Sequence, residues 1–171
     1  MAKRFELKDF NKILDELNGA SDRASILVAT ALVEDGIYFM LKDQLRPIEN
    51  SDDESSVFGD RGIFGSFNNM IVGAYFLKLI GPQTRRDLDL MRRIRNLAAH
   101  DPNPALFSEP EIASRCREIE LIAYPGSTTP QLQTLKQKFI ACAQIYSGMF
   151  LARTYLESSG KGEGVVTLLE K

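Results

Sequence analysis

Apolar residues recur at helical spacing in six stretches of the chain, and no stretch alternates with the period of two that marks a half-buried strand. The predicted helices cover residues 5–18, 22–45, 66–79, 82–100, a segment that begins after 108, and 130–158. Connections between them are short, which favours antiparallel neighbours. We therefore expect an all-α fold, a single-domain antiparallel helical bundle of about six helices.

Several helix ends carry recognisable signals. Ser66 is a suitable N-cap for the third helix, which should end at Gly81. Pro82 suits the first turn of the fourth helix. Ser108 and Glu111 have the spacing of a capping box, so we expect Ser108 to cap the fifth helix.

Two segments lack periodicity or are rich in glycine. Residues 49–56 are acidic and polar, so we expect a solvated loop. Residues 59–66 hold three glycines but lack the Gly-Lys-Ser/Thr ending of a phosphate-binding loop, which argues against nucleotide binding. The bundle domain is expected over 1–158, with 159–171 as a flexible tail.

The composition narrows the class of protein. With 171 residues and 44% hydrophobic content, the chain has enough material for one substantial core. Its formal charge of −2 disfavours a strongly cationic nucleic-acid binder. Cys116 and Cys142 form no paired motif and are expected to be reduced thiols. No signal peptide or membrane-spanning run is evident, so we expect a cytoplasmic protein without membrane contact.

The fourth predicted helix is rich in arginine. On a helical wheel, one half carries a polar, mostly cationic set, and the opposite half carries Met91, Ile94 and Ala98. The polar set is Arg85, Arg86, Asp89, Arg92, Arg93, Asn96 and His100. Arg85, Arg86, Arg92 and Arg93 form a candidate polyanion contact, which is not favoured because Asp87 and Asp89 dilute its charge.

Arg95 falls outside this polar set. It lies about 40° from Met91, on the flank of the apolar stripe, so we expect it to be partly buried. A buried guanidinium needs a carboxylate partner. Glu34 lies on the inward half of the second predicted helix, and we therefore predict a structural ion pair between Glu34 and Arg95.

His100 is the only histidine in the chain. A histidine at a helix carboxyl end is commonly structural, because the helix dipole favours its cation. Histidine with arginine also supplies the acid, base and cation of metal-independent RNA cleavage. Arg95 and His100 are about 140° apart on the wheel, so they converge only if the helix ends early or across a dimer axis. One histidine and two separated cysteines make no zinc ligand set, so neither a metal nor another cofactor is expected.

Three groups of residues resemble the mannitol operon repressor family over roughly residues 10–155. They are the internal Glu34, the glycine turn 59–66, and the segment Arg95-Asn-Leu-Ala-Ala-His-Asp-Pro-Asn103 followed by Phe107-Ser-Glu-Pro-Glu-Ile112. The resemblance implies an all-helical transcriptional regulator without a recognisable DNA-binding motif, acting through a protein partner or a homo-oligomer, most simply a homodimer.

The same Arg95-Asn96 to His100 segment is similar to the motif of the HEPN superfamily of helical bundles. That resemblance implies an alternative function, a metal-independent endoribonuclease of the toxin type. Arg95 and His100 would then be the catalytic pair across a dimer, with Asn96 as the polar companion and Glu34 as a supporting acid. The sequence favours the regulator over the enzyme.

Overall fold

The computed structural model describes residues 13, 16–100, 102, 105–120 and 134–159, with side chains up to residue 153. The described residues form helices and connecting segments without a strand, which confirms the all-α prediction of a helical bundle. The helices are α1 (Asp22–Gln44), α2 (Ser51–Phe58), α3 (Phe67–Phe76), α4 (Pro82–His100), a 3₁₀ turn (Leu106–Ser108), α5 (Pro110–Glu118) and α6 (Leu135–Ser159). Most of the first predicted helix, the start of the sixth and the predicted tail lie outside the described residues.

The core is built around α1 and α6, which pack along each other. Ile26, Val33 and Ile37 of α1 are fully buried, as are Phe139 and Phe150 of α6. The two helices approach closely at Gly36, where a Cβ atom would lie 3.2 Å from the Phe150 ring. A small residue at this position therefore sets the distance between the two central helices.

Helix α1 corrects one expectation, because it is long and apolar enough to cross a membrane by length and composition. Its mean hydropathy reaches 1.6 in the most apolar window, of which 56% is buried inside the protein. Buried contacts with α4 and α6 account for this apolar character. The same composition is expected of the core helix of a soluble bundle.

The predicted acidic loop at 49–56 is wrong, because residues 51–58 form α2. Asn50 caps this helix by accepting from the backbone N–H of Asp53 at 2.8 Å. The carboxylates of Asp52, Asp53 and Glu54 lie in the first turn of the helix, where they interact favourably with the helix dipole. Glu54 also accepts from the Tyr38 hydroxyl at 2.7 Å and pairs with Lys42 of α1. An acidic run that looks like solvated loop is thus the amino end of a docked helix.

The glycine turn connects α2 to α3 and is held by backbone hydrogen bonds. The Phe64 N–H donates to the Val57 carbonyl at 2.7 Å. A Cβ atom at Gly65 would lie 2.1 Å from the Gly59 carbonyl oxygen, so only glycine fits this crossing. The Phe64 ring occupies the space beside Gly73 of α3, where a Cβ atom would come within 2.3 Å of it. The turn is therefore a packed element rather than a ligand loop.

Helix α3 ends at Phe76, earlier than the predicted stop at Gly81. Lys78 adopts a left-handed conformation with φ of 59°. The N–H groups of Lys78 and Leu79 donate to the carbonyls of Tyr75 and Ala74 at 3.0 and 2.8 Å, which is the Schellman arrangement that closes a helix. A lysine thus fills the position that glycine usually occupies, which the sequence pattern did not reveal.

Helix α5 begins at Pro110, a residue type that suits the first turn of a helix. The N-cap residue, Glu109, makes no side-chain capping hydrogen bond. The predicted capping role of Ser108 is therefore wrong, because Ser108 closes the preceding 3₁₀ turn. That turn is anchored to the start of α1, where the Phe107 N–H donates to the Asp22 carboxylate at 3.3 Å.

Asp87 of α4 is completely buried, although it was expected to dilute the charge of the arginine surface. Its carboxylate accepts from the Tyr146 hydroxyl of α6 at 2.8 Å, from Gln83 at 3.1 Å and from the Glu120 N–H at 3.1 Å. Burial, followed by the Asp87 charge, raises the pKa of Tyr146, so the phenol stays protonated and donates. Asp87 thus joins α4, α6 and the end of α5.

Both cysteines are free and buried, as the sequence predicts. Burial raises the pKa of the Cys116 thiol to about 12 and raises the pKa of Cys142 well above its ordinary value. Neither thiol is an activated nucleophile, because nucleophilic cysteines have lowered pKa values.

Candidate functional site

The predicted site residues lie on α4, whose orientation is fixed by its buried face. Leu88, Met91, Ile94 and Ala98 are fully buried and face the core. The polar residues of the carboxyl half of the helix then lie at or near the surface. This orientation separates the candidate residues into distinct groups.

Arg95 is exposed, so the prediction that it is partly buried is wrong. Its Nη1 atom donates to the neighbouring Asn96 side chain at 3.3 Å. Glu34 is half-buried, and among the described residues no ion pair within 4.0 Å joins it to Arg95. A long side chain on the flank of an apolar stripe can extend its charged end into solvent, which explains the outward course of Arg95.

Electrostatic interaction between the two residues nevertheless persists. Burial raises the pKa of Glu34, the Arg95 charge opposes this rise, and the Asp35 carboxylate adds to it. Because burial is the largest cause, the folded protein holds a proton on Glu34 more tightly than the unfolded chain does.

We expect Glu34→Gln to raise the melting temperature at neutral pH. A raised folded-state pKa makes stability fall as pH rises through the range above the ordinary glutamate value, and the substitution removes this loss. Thermal unfolding of both proteins at about pH 4 and about pH 7 should show the difference only at the higher pH. Arg95→Gln removes the positive charge that opposes the rise in the pKa of Glu34, so it should enlarge the loss of stability between about pH 4 and about pH 7. A lower melting temperature of Glu34→Gln at neutral pH would instead favour the ion pair predicted from the sequence.

His100 and Asn96 line an open depression of about 500 Å³ at the carboxyl end of α4. Arg93 and Leu97 of the same helix also line it, as does Arg115 of α5. Arg95 is not among the lining residues. Arg95 reaches the depression only through its hydrogen bond to Asn96, so the catalytic pair of Arg95 and His100 stays a prediction.

The four arginines of the candidate polyanion contact do not form a uniform cationic surface. Arg86 pairs with Glu120 at 2.7 Å and with Glu118 at 3.7 Å. Arg92 and Arg93 share the Asp89 carboxylate at 2.9 and 3.3 Å. Arg85 stacks instead on the Tyr75 ring, with 4.5 Å between its guanidinium carbon and the ring centroid. Acidic partners thus reduce the field that a nucleic acid would meet.

A further surface was missed by the sequence analysis. Phe76 and Leu77 have exposed fractions of 72% and 49%, and we call them, with Arg85, the Phe76 patch. The Arg85 guanidinium lies 6.0 Å from the centroid of the Phe76 ring. The early end of α3 leaves Phe76 and Leu77 outside the core, and no periodicity signal indicated that end.

Metal binding has no structural support in the part of the chain that the structure describes. There, no three His, Cys, Asp or Glu side chains form a group that could hold a metal ion.

Comparisons with known proteins identify a similar fold. No protein-family model and no curated protein sequence matches the chain. A solved structure, that of the MtlR-HPr complex from Escherichia coli, contains a chain that superposes with a TM-score of 0.65 at 17% sequence identity. The match covers 82% of this chain and 97% of that chain. At this identity the similarity establishes a shared helical fold.

Proposed function

We propose that this chain is a helical regulator of the mannitol operon repressor type, which acts in the cytoplasm by binding a protein partner. The observation that carries the proposal is the Phe76 patch, an exposed aromatic and aliphatic surface beside an arginine that has no ion-pair partner among the described residues. The fold similarity supports the proposal, because the E. coli chain was solved in complex with HPr.

The chemistry of the patch suits a protein surface. Aromatic residues and arginine are enriched among the residues that dominate protein–protein affinity. Arg85 is held in place by the Tyr75 ring, so little side-chain entropy is lost when it meets a carboxylate. Lys78 is exposed two residues after Phe76 and adds a second positive charge. We therefore expect the partner to present an apolar residue next to an acidic one.

Direct DNA contact is not part of this proposal. The arginines that could engage phosphates on α4 are largely paired with carboxylates, and the whole chain carries a formal charge of −2. Self-association, which the sequence resemblance implies, remains a prediction that sedimentation of the purified chain tests.

The proposal is tested by isothermal titration calorimetry with E. coli HPr as the probe. Wild-type protein should bind it saturably, and Phe76→Ala should weaken binding by about 10-fold or more, as expected for loss of a central aromatic contact. Val28→Ala is a matched control, because Val28 is also exposed but lies on α1. Absence of binding by the wild type, or equal binding by Phe76→Ala, would contradict the proposal.

A further inference from the structure

The depression at the carboxyl end of α4 has a composition that the protein-binding function does not use. Its lining residues are Arg93, Asn96, Leu97, His100 and Arg115. Among the described residues no carboxylate lines it, and guanidinium groups from two different helices contribute to its lining. A concave site with two cations and two further hydrogen-bonding side chains favours an anionic ligand.

Arg115 provides the most specific observation. Its Nη2 atom pairs with Glu111 at 2.6 Å, whereas its Nε atom is buried and has no hydrogen-bond partner in the described part of the chain. A buried donor without a partner costs about 1–3 kcal/mol, so a shift of the Arg115 side chain that brings this donor to a ligand oxygen would relieve that cost. Guanidinium Nε and Nη donors together match two oxygens of one phosphoryl group.

The other polar residues complete a set of donors. Arg93 uses one Nη atom for Asp89 at 3.3 Å, which leaves further N–H groups for a ligand. The Asn96 oxygen accepts from Arg95, so the group that Asn96 offers is its amide donor. His100 contributes a ring N–H in either tautomer or as a cation. Asp89 and Glu111 pair with the two arginines but do not line the depression.

We propose that this depression binds the phosphoryl group of a small phosphate ester. The tetrahedral oxygens of a phosphoryl group carry two negative charges and accept hydrogen bonds from several directions, and the lining donors come from both α4 and α5. The depression is open to solvent, so the rest of a phosphate ester can extend from it, and the Leu97 side chain supplies an apolar wall beside the phosphoryl group. This ligand site is independent of the Phe76 patch.

His100 makes the proposal directly testable, because a single histidine gives one assignable set of imidazole proton resonances. We expect these resonances to shift saturably when glucose 6-phosphate is titrated at constant ionic strength. Inorganic phosphate should produce a weaker saturable shift, and glucose none. A shift that grows linearly with concentration and is reproduced by sodium chloride would overturn the proposal. A shift that saturates with inorganic phosphate but not with glucose 6-phosphate would also overturn it. Saturation only by single-stranded RNA would overturn it in favour of a nucleic-acid site.

Arginine variants distinguish a specific site from general charge. Arg93→Gln and Arg115→Gln should each weaken glucose 6-phosphate binding by about 10-fold or more, because each removes charge-assisted hydrogen bonds. Arg92→Gln is the matched control, since Arg92 lies on the same helix and shares Asp89 but does not line the depression. An equal loss in Arg92→Gln would overturn the proposal. These variants should bind HPr as the wild type does. A failure of the phosphate-ester proposal is therefore distinguishable from a failure of the proposed protein-binding function.

Discussion

Asp87→Ala is expected to lower the free energy of unfolding by about 3–5 kcal/mol, because it removes the acceptor shared by three donors in a buried site. Tyr146, Gln83 and the Glu120 N–H would all lose their hydrogen bonds to this carboxylate. Urea unfolding followed by circular dichroism measures the change.

Asp89→Ala is the control for this experiment. Asp89 lies two residues away on the same helix, and its carboxylate pairs with Arg92 and Arg93 near the surface. Partly exposed ion pairs of this kind contribute about 1 kcal/mol or less. Similar losses in the two variants would show that Asp87 is not the buried junction described above. Tyr146→Phe should fall between them, since it removes only one of the three donors.

Gly36→Leu is expected to destabilise the protein by about 3 kcal/mol or more, because the added side chain must separate α1 from α6. Already the first added atom would lie 3.2 Å from the Phe150 ring and 3.4 Å from the Ser147 Cα atom. A leucine places three further carbon atoms beyond this Cβ atom, between the two helices, so movement of the Phe150 ring alone does not make enough room.

Gly148→Ala provides the matched comparison, because Gly148 is also a helical glycine but its added Cβ atom would meet nothing within 4 Å. Replacing a helical glycine by alanine in open space stabilises a helix by about 0.5–1 kcal/mol. The two substitutions should therefore shift thermal unfolding in opposite directions. A stabilised Gly36→Leu variant would contradict the close packing of α1 and α6.

Much of the helical architecture was predictable, because it depends on local signals. The apolar periodicity of α1 and α4 and the proline at the start of α4 place those helices with almost the observed bounds. Helix α2 was missed because its acidic residues have low average hydrophobicity, and its stability comes from the Asn50 cap and from Glu54 contacting α1. The end of α3 was missed because the left-handed residue is a lysine rather than glycine.

The candidate site was less predictable, because its geometry depends on residues distant in sequence. A wheel places His100 and Asn96 together but does not reveal that Arg115 of α5 lines the same depression. Asp87 lies one helical turn before the buried Met91, but the wheel does not reveal its hydrogen bond to Tyr146, 59 residues later. The wheel correctly places Arg95 on the flank of the apolar stripe. It does not show that the arginine side chain is long enough to carry its charge out to solvent.

The contact between Phe64 and Gly73 has an evolutionary consequence. The aromatic ring occupies the volume that a side chain at position 73 would need, so a larger residue at 73 must displace the ring. Relatives that keep this turn should pair a large residue at 64 with glycine at 73. An alanine or larger residue at 73 should occur with a smaller residue at 64. An alignment of relatives should therefore show these two columns covarying, even where the sequences around them have diverged.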